Sequence, residues 1–120
     1  MALVVDDDAS IRKLLNTLLS RRGWAVIEAE DGVDGVGRAL LHHPDVIITD
    51  VSMPRSDGIE MLHALKQAGV LTRARVVIIT GVRDVSPDVR EEFHPTAVLG
   101  KPLDIPAFYA AVGESSDEKK

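Results

Sequence analysis

The sequence predicts an α/β protein in which five parallel strands form one sheet with helices on both faces. Five short apolar runs alternate along the chain with five segments of helical periodicity. Such alternation is typical of a doubly wound sheet, because each helix returns the chain to the start of the next parallel strand by a right-handed crossover. Of the 120 residues 45% are hydrophobic but only 3% are aromatic, which indicates an aliphatic core.

Charge and composition exclude several classes of function. With 14 basic and 19 acidic residues the net charge is −5, which argues against direct binding of nucleic acid or an anionic membrane. The chain has no cysteine, so disulfides and thiolate chemistry are not expected. No apolar run approaches the roughly 18 residues of a membrane span, and the first residues do not resemble a signal peptide. We therefore expect a cytoplasmic protein.

The first strand and the first helix have the clearest patterns. Residues 2–5 are all apolar and run into an acidic segment, Asp6–Asp8, whose last residue is expected to cap the helix that follows. Apolar residues recur with helical spacing over residues 10–22, and Arg12 and its polar neighbours are expected to face water. Gly23 is suited to a left-handed position at the helix end.

The second strand and helix are predicted to follow directly. Residues 24–29 have the composition of a strand, with Trp24 expected at its periphery, and residues 30–32 form a turn. Pro44 ends the helix that comes next. The apolar stripe of this helix consists of Val33, Val36, Gly37, Leu40 and Leu41.

The third strand runs directly into an acidic residue. Residues 46–49 form the strand, and Asp50 follows at its end. In the segment beyond, Gly58 is expected to shape the loop, because glycine permits a positive φ. The third helix is predicted over residues 59–68 and ends at Gly69.

The last third of the chain repeats this pattern twice. The fourth strand covers residues 76–79 and is followed by a short helix over residues 87–93, with Ser86 as its cap. The fifth strand covers residues 96–99. In the final helix Asp104 is the expected cap and Pro106 the first residue.

The predicted domain ends where the final helix does. We expect one domain over residues 1–112, because a chain of 120 residues is long enough for one core and too short for two. Residues 113–120 are polar and are expected to be a disordered tail or the start of a linker.

Polar side chains follow four of the five predicted strands. The carboxyl ends of parallel strands meet at one edge of a sheet, where ligands bind in doubly wound folds. We therefore expect one site built from the residues after the first, third, fourth and fifth strands: Asp6, Asp7, Asp50, Thr80 and Lys101.

This set of residues is suited to phosphoryl transfer. Neighbouring carboxylates repel one another and need a cation, and oxygen ligands open to water suit Mg²⁺, with Mn²⁺ as the alternative. The expected ligands are Asp7, Asp50 and the backbone carbonyl of Ser52, with Asp6 in a supporting role. Asp50 is the expected nucleophile, while Lys101 and Thr80 would bind phosphoryl oxygens.

Five separately placed motifs carry a resemblance to a known family. LVVDDDASIRKLL, AEDG, PDVIITDVSMPRSDG, VVIITG and GKP occur in this order. Together they resemble the receiver domain of two-component response regulators over residues 2–112. The resemblance implies that Asp50 is the phospho-acceptor and that Asp6 and Asp7 form the acidic pair. It also implies that Thr80 is the switch hydroxyl and that Lys101 pairs with the phosphoryl group.

The resemblance carries further implications for fold and partners. It implies the flavodoxin-like strand order 2-1-3-4-5 and a cis peptide between Lys101 and Pro102. It implies a histidine kinase or a histidine phosphotransfer protein as the phosphoryl donor. The expected protein is a signalling switch that catalyses only its own phosphorylation and dephosphorylation. Its output would be a change in the surface of helix four, strand five and helix five. A downstream protein would bind this surface, or two copies would form a phosphorylation-dependent homodimer.

The sequence departs from the family pattern at one informative position. Val98 lies three residues before Lys101, where family members commonly have an aromatic residue that turns inward with the threonine. A switch based on an aromatic rotamer is therefore not available at this position.

Two alternative functions are open at this point. The first is a receiver-like module that binds proteins independently of phosphorylation. The second is a phosphatase of the haloacid-dehalogenase type, with Asp6 as nucleophile and Asp8 as general acid. The second lacks the acidic pair expected after Lys101, and the chain has no room for a cap domain.

Overall fold

The computed structural model describes residues 1–51, 57–81 and 87–113, and the described residues form one five-stranded sheet. The strands all run parallel, in the order β2-β1-β3-β4-β5. This confirms the predicted fold class and strand order. The strands are β1 (Ala2–Val5), β2 (Val26–Ala29), β3 (Val46–Thr49), β4 (Arg75–Thr80) and β5 (Ala97–Gly100).

The helices lie between the strands as the periodicity predicted. They are α1 (Ala9–Ser20), α2 (Gly32–His42), α3 (Asp57–Gln67), α4 (Pro87–Phe93) and α5 (Ile105–Val112). A short 3-10 helix, Val70–Thr72, precedes β4 and was not predicted. The predicted cap Ser86, the carbonyl of Ser52 and the polar tail beyond residue 113 lie outside the described residues.

Alternate residues of each strand pack against opposite layers of helices. One face, which includes Leu3, Ile47 and Ile78, packs against α2, α3 and α4. The other face, which includes Val4 and Ile48, packs against α1 and α5. Because a strand changes side at every residue, a run of four apolar residues fills both cores at once. The apolar runs at β1 and β3 therefore mark strands that are covered on both faces.

Some predicted boundaries and positions were wrong by a few residues. β2 begins at Val26, two residues later than predicted, and Trp24 lies in the core instead of at the periphery, where its Nε1 donates to the carbonyl oxygen of Gly113 at 3.0 Å. β5 extends to Gly100. Pro106 is the second residue of α5, although Asp104 caps the helix as predicted.

The buried face of α2 differs from the predicted stripe. The residues that α2 buries are all small: Gly32, Gly35 and Ala39. Val33, Leu40 and Leu41 are exposed, so the predicted apolar stripe was wrong for its largest members. A Cβ on Gly35 would lie 2.6 Å from Sδ of Met61 and 3.2 Å from Cγ2 of Val5. The helix therefore approaches α3 and β1 closely on its small residues. Val36 packs partly buried against the same core, whereas Val33, Leu40 and Leu41 are exposed.

Adding a methyl group at Gly35 tests this close approach. Met61 and Val5 are both buried and cannot move aside freely. We expect Gly35→Ala to lower the free energy of unfolding by about 1–3 kcal/mol through overpacking. Urea denaturation followed by circular dichroism measures the change.

Gly37→Ala is the matched control in the same helix. A Cβ on Gly37 would meet nothing within 4 Å, so alanine should stabilise the protein by up to about 1 kcal/mol through helix propensity. Equal effects of the two substitutions would contradict the predicted packing.

Candidate functional site

The predicted site residues come together at the carboxyl end of the sheet. Pairing of the parallel strands places the ends of β1, β3, β4 and β5 side by side. Backbone hydrogen bonds continue just past the strands: the amide of Asp50 donates to the carbonyl oxygen of Val5 at 3.3 Å, and that of Lys101 to the carbonyl oxygen of Thr80 at 3.1 Å. The positions of these predicted site residues are therefore determined by the sheet itself.

Lys101 joins two buried carboxylates. Its Nζ donates to Oδ2 of Asp50 at 2.8 Å and to Oδ2 of Asp6 at 3.2 Å. Asp6 is only 2% exposed and Asp50 only 4%, and Thr80 at the end of β4 is also buried. An isolated carboxylate is costly to bury, so a shared cation compensates part of the cost for both.

The surroundings of the site stabilise the charged form of Lys101 and destabilise the ionised form of Asp6. Burial raises the pKa of Asp6 above its ordinary value, although the Asp8 amide and Lys101 both favour the ionised form. Burial alone would lower the pKa of Lys101. The hydrogen bond and charge of Asp50, followed by those of Asp6, outweigh that effect, so the pKa of Lys101 is raised. Lys101 is therefore a cation at neutral pH.

The other two aspartates of the acidic segment have different environments. Asp7 is exposed, and its carboxylate has no hydrogen-bond or ion-pair partner among the described residues. Asp8 caps α1 as predicted, because its Oδ1 accepts a hydrogen bond from the Ser10 amide at 2.8 Å. Asp7 is thus free to bind a ligand from solvent, whereas Asp8 is engaged in capping.

The donor atoms can be tested against the predicted Mg²⁺. In the described part of the chain no group of three or more His, Cys, Asp or Glu side chains is arranged to hold a metal ion. Mg²⁺ needs fewer protein ligands, because it usually binds one or two carboxylates and keeps several waters. The carboxylate oxygens of Asp7 and Asp50, one open to solvent and one at the strand end, fit that requirement. The predicted ligand Ser52 lies outside the described residues.

Comparison with known proteins identifies the family. A family model described as response regulator receiver domain matches residues 2–112. The chain belongs to the response regulator receiver domain family. This confirms the resemblance seen in the sequence motifs and places the receiver domain in two-component signal transduction.

Relatives and solved structures agree with this assignment. The receiver domain is 36% identical over 84 residues to "Probable transcriptional regulator ycf27" of Cyanophora paradoxa, covering 70% of this chain and 34% of the relative. It is 42% identical over 67 residues to "Response regulator MprA" of Mycobacterium sp. (strain KMS), covering 56% of this chain and 29% of the relative. The chain thus spans about a third of the length of these curated relatives.

The fold is also that of a solved chemotaxis protein. The structure of CheY4 from Vibrio cholerae superposes with a TM-score of 0.81 at 28% identity, covering 92% of this chain and 93% of that one. The peptide between Lys101 and Pro102 is cis, as the family resemblance implied. Within the described residues of the receiver domain, no helix has the length and apolar character that crossing a membrane requires.

Arg12 is a site residue that the sequence interpretation missed. It was expected to face water, and this was wrong. Its Nη1 donates to the carbonyl oxygen of Asp6 at 2.6 Å, and its Nε lies 3.3 Å from Oε1 of Glu28. Asn16 donates to the other oxygen of Glu28 at 2.9 Å. Arg12 therefore supports the backbone of the acidic segment. Its position in the first turn of the helix that follows this segment is the sequence feature that could have indicated the contact.

Gly58 supports the site in a way that differs from the prediction. It does not have a positive φ and instead lies in the first turn of α3. A Cβ at this position would collide with the carbonyl oxygen of Asp50 and lie 2.9 Å from Cα of Val51. Only glycine allows the start of α3 to pack against the backbone that carries Asp50.

Substitution at Gly58 tests this contact. Because the colliding atoms belong to the backbone, Gly58→Ala must displace α3 or the segment after β3. We expect a loss of about 3 kcal/mol or more in the free energy of unfolding, measured by urea denaturation. Gly100→Ala is the control, since a Cβ there meets nothing within 4 Å. A Gly58→Ala variant as stable as Gly100→Ala would contradict the assigned contact.

The raised pKa of Asp6 predicts a pH dependence of stability. Ionising Asp6 costs more in the folded than in the unfolded chain, so its contribution to stability is most favourable below its ordinary pKa of 3.8 and is lost as the pH rises through the folded pKa. Asparagine cannot ionise. We therefore compare the unfolding free energy of Asp6→Asn minus that of wild type, measured in the presence of EDTA. This difference should become more positive from about pH 3.5 to about pH 7. A difference that stays constant or falls would contradict the prediction.

Proposed function

We propose that this receiver domain accepts a phosphoryl group on Asp50 from a phosphohistidine and acts as a signalling switch. The single observation that carries the proposal is the contact of the Lys101 ammonium with the buried carboxylate of Asp50. A buried carboxylate held by a cation at the rim of the sheet is oriented for attack on phosphorus. The family assignment gives this geometry its chemical context.

The residues of the site have distinct proposed roles. An oxygen of Asp50 forms the bond to phosphorus while the nitrogen–phosphorus bond of the donor histidine breaks, and the imidazole leaves with the electron pair. Lys101 stabilises the charge on one phosphoryl oxygen, and the Thr80 hydroxyl donates to another. In dephosphorylation, water attacks the same phosphorus and the bond from phosphorus to the Asp50 oxygen breaks. Inorganic phosphate leaves, and Asp50 returns to its carboxylate form.

Charge on the transferring group needs more neutralisation than one lysine supplies. Asp7, Asp50 and the backbone carbonyl of Ser52 are the proposed ligands of Mg²⁺, with Asp6 in support and Mn²⁺ as the alternative. The ion would supply charge neutralisation and orientation at the phosphoryl oxygens. The exposed carboxylate of Asp7 supports this assignment, because it has no structural partner among the described residues. Arg12 holds the backbone of Asp6 in place for the same purpose.

The proposed output is a change at α4, β5 and α5. Val98 lies in β5 opposite Ile78, and it packs at the edge of the core shared with α3 and α4. No aromatic ring can rotate at this position. α4 is attached to α3 through polar contacts: Nδ1 of His63 lies 3.0 Å from Oε2 of Glu92, and Nζ of Lys66 donates to the Glu92 carbonyl oxygen at 3.2 Å. We propose that these contacts, in place of an aromatic ring at position 98, determine how α4 responds to phosphorylation of Asp50.

The donor and the cellular setting are part of the same proposal. A histidine kinase or a histidine phosphotransfer protein would supply the phosphoryl group, and the domain would extend over residues 1–112 in the cytoplasm. The family assignment supports a donor of this class. The proposed output is binding of a downstream protein or formation of a phosphorylation-dependent homodimer.

The two alternatives have less support. In the phosphatase, Asp6 would be the nucleophile and Asp8 the acid, but Asp6 is held by Lys101 and Asp8 caps α1. A module independent of phosphorylation would not need a lysine shared between two buried carboxylates.

Phosphorylation by a small donor tests the assignment of Asp50. Acetyl phosphate with Mg²⁺ should add the mass of one phosphoryl group to the wild-type protein, measured by intact-protein mass spectrometry. Asp50→Asn should reduce the rate by about 10²-fold or more, because the nucleophilic oxygen is lost. Asp8→Asn is the matched control and should still be phosphorylated, since Asp8 serves as a helix cap.

Two outcomes would overturn the proposal. One is phosphorylation of Asp50→Asn at the wild-type rate. The other is turnover of a phosphate monoester that depends on Asp6 and not on Asp50, which would favour the phosphatase.

A further inference from the structure

The outer face of α2 carries an unusual share of the exposed apolar surface. Five large hydrophobic side chains in the described part of the chain are exposed, and three of them lie on this one helix. Val33 is 82% exposed, Leu41 73% and Leu40 46%. Exposed apolar residues that cluster on one element mark an interaction surface more often than residues scattered singly. None of the three belongs to the phosphorylation site.

We propose that two copies of this receiver domain associate through an antiparallel, two-fold pairing of their α2 helices centred on Gly37. The spacing of the exposed residues carries the proposal. Val33 and Leu41 lie four residues before and after Gly37, so each Val33 would face Leu41 of the second copy. At the centre, a Cβ on Gly37 would meet nothing within 4 Å, which leaves room for the two helix backbones to approach. A two-fold interface requires this kind of self-matching pattern.

A groove next to α2 matches the side chain that the second copy would present. It lies between α2 and α3, has a volume of about 200 Å³, and is lined by Gly32, Val33, Val36, Glu60, Met61 and Ala64. Since Leu41 of the second copy faces Val33, it would lie at the wall of this groove. A mostly apolar groove of this size is suited to one aliphatic side chain. Each copy thus presents Leu41 and also the groove that would receive Leu41 of the other copy.

The charges along the flank of α2 are also self-complementary. Asp34 lies near the start of the helix and pairs with Arg38 at 3.0 Å, while His42 lies at its end. In an antiparallel pair the acidic start of each helix lies beside the basic end of the other, and Arg38 lies within reach of Asp34 in either copy. The two helix dipoles also oppose each other favourably. A second copy of this chain therefore fits the surface in charge as well as in shape.

The surface sets a limit on the strength of the association. A stable interface buries about 1,200–2,000 Å² in total, and one helix of 11 residues supplies only a small patch. We therefore expect a reversible dimer that forms at high protein concentration.

Cysteine cross-linking tests the geometry of the pair. The chain has no cysteine, so one introduced residue reports only its own proximity to its copy. Gly37→Cys should form a disulfide-linked dimer under mild oxidation at least about 10-fold faster than Ile105→Cys, because the two-fold brings the two Gly37 positions together. Ile105 is the matched control, an exposed apolar residue on α5. The protein is kept unphosphorylated, because α5 belongs to the surface proposed to respond to phosphorylation. Equal rates, or faster cross-linking through position 105, would overturn the proposal.

Sedimentation velocity of the unphosphorylated protein tests the strength of the association in the absence of cross-links. Leu41→Ser should weaken dimerisation at least about 10-fold, and Ile105→Ser should leave it unchanged. Val33→Ser is a second variant with the same expected effect, and thermal melts establish that each variant folds. Wild-type protein that stays monomeric up to about 1 mM, or loss of the dimer in Ile105→Ser alone, would overturn the proposal.

Discussion

The contact of Lys101 with Asp6 and Asp50 is the constraint around which the carboxyl end of the sheet is built. Two carboxylates buried this deeply would repel each other and lose their hydration without a cation between them. The lysine comes from the turn after β5, and the carboxylates from the ends of β1 and β3, so one ammonium group joins three strands across the sheet. A phosphoryl group on Asp50 would become a new partner for that ammonium. The interaction that stabilises the resting site is thus also the one that phosphorylation is expected to change.

Close packing of glycines holds the surroundings of this contact in place. Gly58 lets the start of α3 lie against the backbone of Asp50, and Gly35 lets α2 lie against α3 and β1. On the opposite side, Arg12 and Glu28 support the backbone of Asp6. Asp50 and Asp6 are therefore positioned by elements that pack closely against their backbone.

The helices around the site are attached with different strengths. α3 contributes three fully buried side chains to the core, Met61, Leu62 and Leu65, whereas α4 contributes only Phe93 with Val89 partly buried. Polar contacts from His63 and Lys66 to Glu92 supplement that small core. An element with little buried apolar surface is the one that can shift at low cost. This supports α4 as the part of the surface that responds to chemistry at Asp50.

The sequence by itself determined the sheet, its strand ends and the residues that meet there. Each buried strand is an apolar run, and Asp6, Asp50, Thr80 and Lys101 come at or directly after the end of one, so local pattern was sufficient. Only the tertiary structure decided how closely neighbouring elements pack. Hydropathy placed the large residues of α2 toward the core, but Gly35 and Ala39 permit a closer approach and are buried instead. Likewise, Arg12 and Trp24 acquired their roles from Glu28 and Gly113, partners that lie 16 and 89 residues away in the sequence and are brought near by folding.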